Sequence, residues 1–238
     1  MVPSRYPEDM AHALATPTLA VKTRRMSPTD NLIDWVSADN PLVMQRLGQG
    51  LVGLGEALRW EFQGPDRFAE ASAAWTALVD NAHIDNPVGI PGSGLVCFGA
   101  FTFADQSSHT SVIIVPAVVI GVMGDTSFRT DITLHEAVGQ APVARSSRPR
   151  SLAPLDWQPG LLGEADYRAA VSHTIERLQE GEADKVVLAR EMVANAPGSK
   201  DWRAALEKLS DSYPDCVTFA IDGLVGSTPE TLAKVHEN

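Results

Sequence analysis

Apolar and polar positions follow two regimes along the chain, divided near residue 150. In the first, short apolar runs rich in Val, Ile and aromatic residues are separated by Gly, Pro, Asn and Asp. Residues 51–54 and 57–62 read as two strands split at Gly55. The runs 95–103, 111–115, 117–123 and 128–135 read as further strands joined by turn residues, an antiparallel meander. One helix interrupts them. Phe68, Ala71, Ala74, Trp75 and Leu78 recur at helical spacing behind Asp66, which is placed to cap it. Residues 1–30 carry Pro3, Pro7, Pro17 and Pro28 and predict a loose lead-in with room for one short strand.

The stretch 140–154 is rich in Pro, Arg and Ser, and with 155–163 it reads as a surface connection. After it the periodicity sharpens. Tyr167, Ala170, Val171, Thr174, Ile175 and Leu178 form the inner stripe of a helix over 164–182 that ends at Gly181. A strand is predicted over 185–193, a helix over 202–209 capped by Ser199 or Asp201, and a strand over 216–221. A strand pair over 223–227 and 231–236 follows, bent at Thr228-Pro229-Glu230. The reading is an α+β chain with an N-terminal region over 1–150 and a second region over 151–238.

Composition narrows the picture. At 44% hydrophobic and 21% charged residues, the chain is neither collagen-like nor disordered, and 238 residues suffice for a sizeable core. The formal net charge of −11 argues against a nucleic-acid or anionic-membrane surface, but not against a small anionic substrate held by a local cation. The most apolar run, 111–123, is too short to span a bilayer and is broken by Pro116. The N-terminus lacks the apolar core of a secretory signal. Cys97 and Cys216 have no CxxC partner and read as buried free thiols in a reducing cytosol. A cytoplasmic protein follows as the expectation.

Several familiar motifs have no footing. Gly48-Gln-Gly50-Leu-Val-Gly53 matches GxGxxG literally, yet 41–47 does not read as a clean strand and a strand, not a helix, follows. Glycines serving strand turns are the better reading. The histidines show no metal-ligand spacing, and neither a GxSxG elbow nor a Walker loop occurs. Two places remain: Lys185-Val-Val-Leu-Ala-Arg190 and Gly223 to Glu230. On a strand, Lys185, Val187, Ala189 and Glu191 share one face and Val186, Leu188 and Arg190 the other. Lys185 opens the run, and small Ala189 leaves room for a ligand. Pro229 fixes the backbone before Glu230 and aims its carboxylate from a rigid kink. On residue type alone, a surface lysine and a solvated glutamate in a turn is the simpler reading.

These same residues resemble a known family. Lys185-Val-Val-Leu-Ala-Arg190 and Gly226-Ser-Thr-Pro-Glu230 are similar to two signature segments of the chorismate-utilising enzymes, specifically isochorismate synthases. Weaker matches run through 50–58, through Phe68-Ala-Glu-Ala with Trp75, and through Gly99-Ala-Phe-Thr-Phe-Ala-Asp105. The resemblance implies stacked antiparallel sheets flanked by helices. It also implies a reaction in which water adds at C2 of chorismate and the C4 hydroxyl leaves. By motif position Lys185 is the general base on water and Glu230 the general acid on the leaving hydroxyl, with Ala189, Ser227 and Thr228 at the substrate. Thr228 stands where the family usually has Ser, which keeps the hydroxyl. The lysine favours the water-using branch, which also includes salicylate synthases, over the ammonia-using one. The menaquinone and siderophore pathways stay equally open.

The resemblance also carries magnesium, which holds the substrate carboxylate in the family through glutamates of a C-terminal portion. Nothing after Glu230 matches that portion. The expectation is therefore an incomplete chain with little or no activity by itself and weak magnesium binding. Apolar sheet residues Val217, Phe219 and Ile221 are then partly uncovered and favour self-association. A non-catalytic binding module derived from the family is the alternative from another class. Acid–base work at neutral pH requires the Lys185 ammonium and the Glu230 carboxyl to be desolvated across the substrate without bridging each other, because an ion pair moves both pKa values the wrong way.

Overall fold

The structure is a computed structural model and describes residues 17–134, 155–195 and 201–235. In chain order the elements are β1 (Leu19–Arg25), a 3-10 helix (Leu32–Trp35), β2 (Leu42–Arg46), β3 (Gln49–Leu54), β4 (Leu58–Phe62), α1 (Arg67–Asp80), β5 (His83–Asp85), β6 (Phe98–Ala100), β7 (Ser111–Val115), β8 (Val118–Met123) and β9 (Thr126–Leu134). Then come β10 (Asp156–Pro159), α2 (Glu164–Gln179), β11 (Met192–Asn195), α3 (Arg203–Ser212), β12 (Val217–Ile221) and β13 (Leu224–Thr228). They form two compact units, Met1–Arg150 with Asp201–Asn238, and Ser151–Lys200.

The first unit holds an eight-stranded sheet in the order β13-β12-β2-β3-β8-β9-β1-β5, antiparallel at each step except the parallel β1–β5 pair. A smaller sheet runs β4-β7-β6. Cross-strand register explains the packing. Ala220, Val43, Val52 and Ile120 are successive partners, so they form one row on one face. Leu32, Ile33 and Val36 of the 3-10 helix region and Leu206 of α3 cover that row. On the other face, Leu42 and Ile221 meet Phe98, Val112 and Ile114 of the small sheet. Helix α1 lies on the small sheet's outer side, Ala71 packing with Phe62 and Ile113. Its Leu78 joins Leu19, Val21, Val115, Val119 and Ile132. The fold is thus α+β, with stacked, mainly antiparallel sheets flanked by helices.

Several expectations are corrected. Residues 41–47 do contain a strand, β2. It is buried on both faces at Leu42 and Val43, and Gln45 is buried as well, so the apolar alternation that would mark it is missing. The run 95–103 keeps only β6. The carbonyls of Thr102 and Phe103 accept instead from the buried Arg67 guanidinium, at 3.0 and 2.8 Å. No strand occupies 231–235, while residue 236 lies outside the described residues. Asp66 holds the N-cap position of α1 without a side-chain capping bond. For α3, Asp201 accepts from the Arg203 backbone N–H at 3.2 Å, and Ser199 lies outside the described residues. Ile221 is buried under the small sheet, whereas Val217 and Phe219 are half-buried.

The GxGxxG segment is a hairpin. Leu47 and Gly48, with φ of 52° and 72°, make the tight turn between β2 and β3. Gly50, opposite Gln45, has no room for a Cβ, which would sit 2.1 Å from the Met44 carbonyl oxygen.

The second unit pairs β10 with β11 beside α2, whose end is marked by Gly181 at φ 81°. None of its described residues is buried. No described helix is long and apolar enough to cross a membrane. Both cysteines are free and half-buried, and burial pushes the Cys97 thiol up to about 11.

Candidate active site

Glu230 stands just past the β12–β13 hairpin, and the hairpin is built residue by residue to hold it. Asp222 and Gly223, with φ of 50° and 83°, form its two-residue turn, the Asp-Gly pair that suits left-handed geometry at both positions. Arg59 of β4 grips this turn, donating through one terminal nitrogen to both Asp222 carboxylate oxygens at 2.8 and 2.9 Å. Its Nε donates to Glu61 at 3.0 Å. Burial works to lower the Arg59 pKa, but hydrogen bonds to Glu61 and Asp222 outweigh it and hold the value above that of an ordinary guanidinium. The turn is thereby clamped to the small sheet. Between the two lies a cleft of about 640 Å³, lined by residues including Glu61, Phe101, Thr110 and Leu224.

Along β13 the side chains alternate. Gly226 lies opposite Phe219, whose ring end is 2.7 Å from where a Cβ would be, so this signature glycine makes room for an aromatic ring. Ser227 lies opposite Thr218. The hydroxyl oxygens of both are buried, and neither has a hydrogen-bond partner among the described residues. The Thr228 Oγ1 accepts from the Glu230 backbone N–H at 3.1 Å, bridging Pro229. The Glu230 side chain is exposed.

Lys185 belongs to the second unit. Residues 185–191 are not part of the strand that the sequence predicts over 185–193, because the pairing with β10 begins only at Met192. An apolar run without a strand partner has no ladder to join. The alternation nevertheless persists. Val186 and Leu188 line a hollow of about 310 Å³ with Thr174 and Leu178 of α2. The Tyr167 hydroxyl donates to the Leu188 carbonyl at 3.4 Å, and the Arg190 guanidinium lies 5.9 Å from the Tyr167 ring centroid. Val187 is 79% exposed, and Lys185 and Ala189 are exposed as well.

The structure brings Thr228 and Glu230 into direct contact and sets Ser227 on the hairpin's buried side. Lys185 and Ala189 both belong to the other unit. Arg59 and Asp222 went unnoticed in the sequence, although an Asp-Gly pair between two apolar runs is a legible hairpin signal. A family model described as chorismate binding enzyme matches residues 42–238, a span that includes both segments and the sheet from β2 onward. The chain belongs to the chorismate-binding enzyme family. No curated protein matches it.

The resemblance to isochorismate synthases carries the expectation of magnesium. Among the described residues, no three His, Cys, Asp or Glu side chains gather to hold a metal ion. The described residues by themselves therefore do not form a magnesium site.

The orphaned hydroxyls carry a prediction of their own. A buried hydroxyl without a partner costs roughly 1–3 kcal/mol. Thr218→Val keeps the shape and removes the polar atom, and is expected to stabilise the chain by about 1 kcal/mol. Urea unfolding midpoints at constant m-value measure it, and a destabilisation would mean that the Thr218 hydroxyl is satisfied.

Proposed function

We propose that this chorismate-binding enzyme is an isochorismate synthase, adding water at C2 of chorismate and expelling the C4 hydroxyl. The observation that carries the reading is Lys185 at the head of its Val-Val-Leu-Ala-Arg segment, within the family-matched region that also holds Thr228-Pro229-Glu230. In this reading Lys185 Nζ takes a proton from the attacking water, and the Glu230 carboxyl gives one to the departing hydroxyl. Both side chains are exposed in the free chain, so the desolvation that tunes them comes with bound substrate. Ala189 leaves space beside the lysine for the ring. Cytoplasmic chorismate is the substrate supply.

Product analysis tests the proposal. The chain is held in excess over chorismate with magnesium present, and the products are separated by chromatography. Isochorismate that disappears with Lys185→Ala supports the reading. Salicylate with released pyruvate would assign the chain to the salicylate synthases, whose water-using chemistry begins with the same lysine. Chorismate binding without any product would make it a binding module.

A further inference from the structure

We propose that Thr228 is a positioning residue for Glu230, acting through the backbone instead of contacting the substrate. The inference rests on the acid–base reading of Lys185 and Glu230 and deepens it. Strand β13 ends at Thr228 because Pro229 has no N–H to continue a ladder. The Glu230 amide is the first donor after that break, and the structure gives it one acceptor, Thr228 Oγ1, at 3.1 Å. This closes a hydroxyl-to-amide turn around a proline whose own φ is fixed, so the two residues before Glu230 leave its Cα little freedom. The turn is rooted in turn. Thr228 pairs with Val217, β12 pairs with β2 in the body of the sheet, and Arg59 grips the far end of the hairpin at Asp222.

Alternation along β13 separates the two hydroxyls of the signature. Ser227 Oγ is buried on the hairpin and does not reach the turn, while Thr228 Oγ1 is committed to the Glu230 amide. Of the two, only Thr228 can hold the acid's direction. A methyl group in place of that hydroxyl keeps the side-chain shape but leaves the amide to water, freeing the Glu230 backbone to rotate. An acid that must deliver its proton within hydrogen-bond reach of the leaving oxygen loses rate when so freed, whereas substrate affinity is untouched.

The test compares Thr228→Val and Thr228→Ser in the whole chain. For Thr228→Val we expect kcat to fall about tenfold with KM within about twofold, and for Thr228→Ser to restore kcat to within about twofold of the parent. In parallel, amide exchange of Glu230 in ¹⁵N-labelled chain should be slowed in the parent and in Thr228→Ser, and fast in Thr228→Val. A raised KM at unchanged kcat in Thr228→Val would place Thr228 on the substrate and overturn the proposal, as would an amide indifferent to Thr228→Val while product forms. If the parent chain makes no product yet its Glu230 amide is protected through Thr228, the acid–base reading has failed and the turn has not.

Discussion

Lys185→Ala and Lys185→Arg are both expected to lower isochorismate formation by a factor on the order of 10²–10⁴. The alanine removes the base. The arginine keeps the positive charge, but its pKa lies above ~12 and it cannot accept a proton from water at any working pH. If the lysine served only to attract the anionic substrate, arginine would retain most of the rate, and the base assignment would fall. The pH profile makes the same point with its signs worked out. A lysine base must be neutral, so activity rises with pH through its pKa. A glutamic acid donor must be protonated, so activity falls through its own. The rising limb should vanish with Lys185→Ala and the falling limb with Glu230→Gln. A bell-shaped profile that survives Lys185→Ala would remove Lys185 from the chemistry.

Much of this architecture was legible from residue pattern, and the failures have physical causes. Strands β3, β4, β7, β8, β9 and β12 follow apolar runs bounded by Gly, Pro or Asp, and α1 and α2 lie where the 3.6-residue stripes put them, although Phe68 and Ile175 of those stripes are exposed. Strand β2 was hidden because both of its faces are covered and because Gln45 sits inside, donating to Ser210 at 3.1 Å. Residues 185–191 misled in the opposite way. Their apolar run, Val186 to Ala189, is that of a strand, but pairing needs a neighbour, and pattern alone does not supply one. At the candidate site, Thr228 and Glu230 were found by resemblance, while the bond between them needed coordinates. The Arg59–Asp222 clamp joins residues 163 positions apart, a separation that no local signal spans.

Leu206→Ala, in α3, is expected to cost about 3 kcal/mol. Leu206 is fully buried, and it is the one apolar side chain of α3 that is. It packs in the cluster that contains Val43, Val52, Ile120 and Ala220, so it is the point where α3 meets the sheet. The other buried side chain of α3, Arg203, is polar and donates to Asp201 at 2.8 and 2.6 Å. Removing the leucine therefore leaves a cavity on one side of the sheet and no second apolar anchor. For a chain of this size, the loss corresponds to a fall in Tm of roughly 10 °C. Leu206→Met keeps volume and should cost less than about 1.5 kcal/mol. The damage should also be local first. Amides of β12 and β13 should lose protection before those of β8 and β9, which sit deeper in the sheet. Because β13 carries Thr228 and Glu230, the acid should become poorly held before the fold is lost, and kcat should fall at temperatures where circular dichroism still reports folded chain. Equal protection loss across all eight strands would show instead that α3 supports the sheet as a whole and has no special hold on the hairpin.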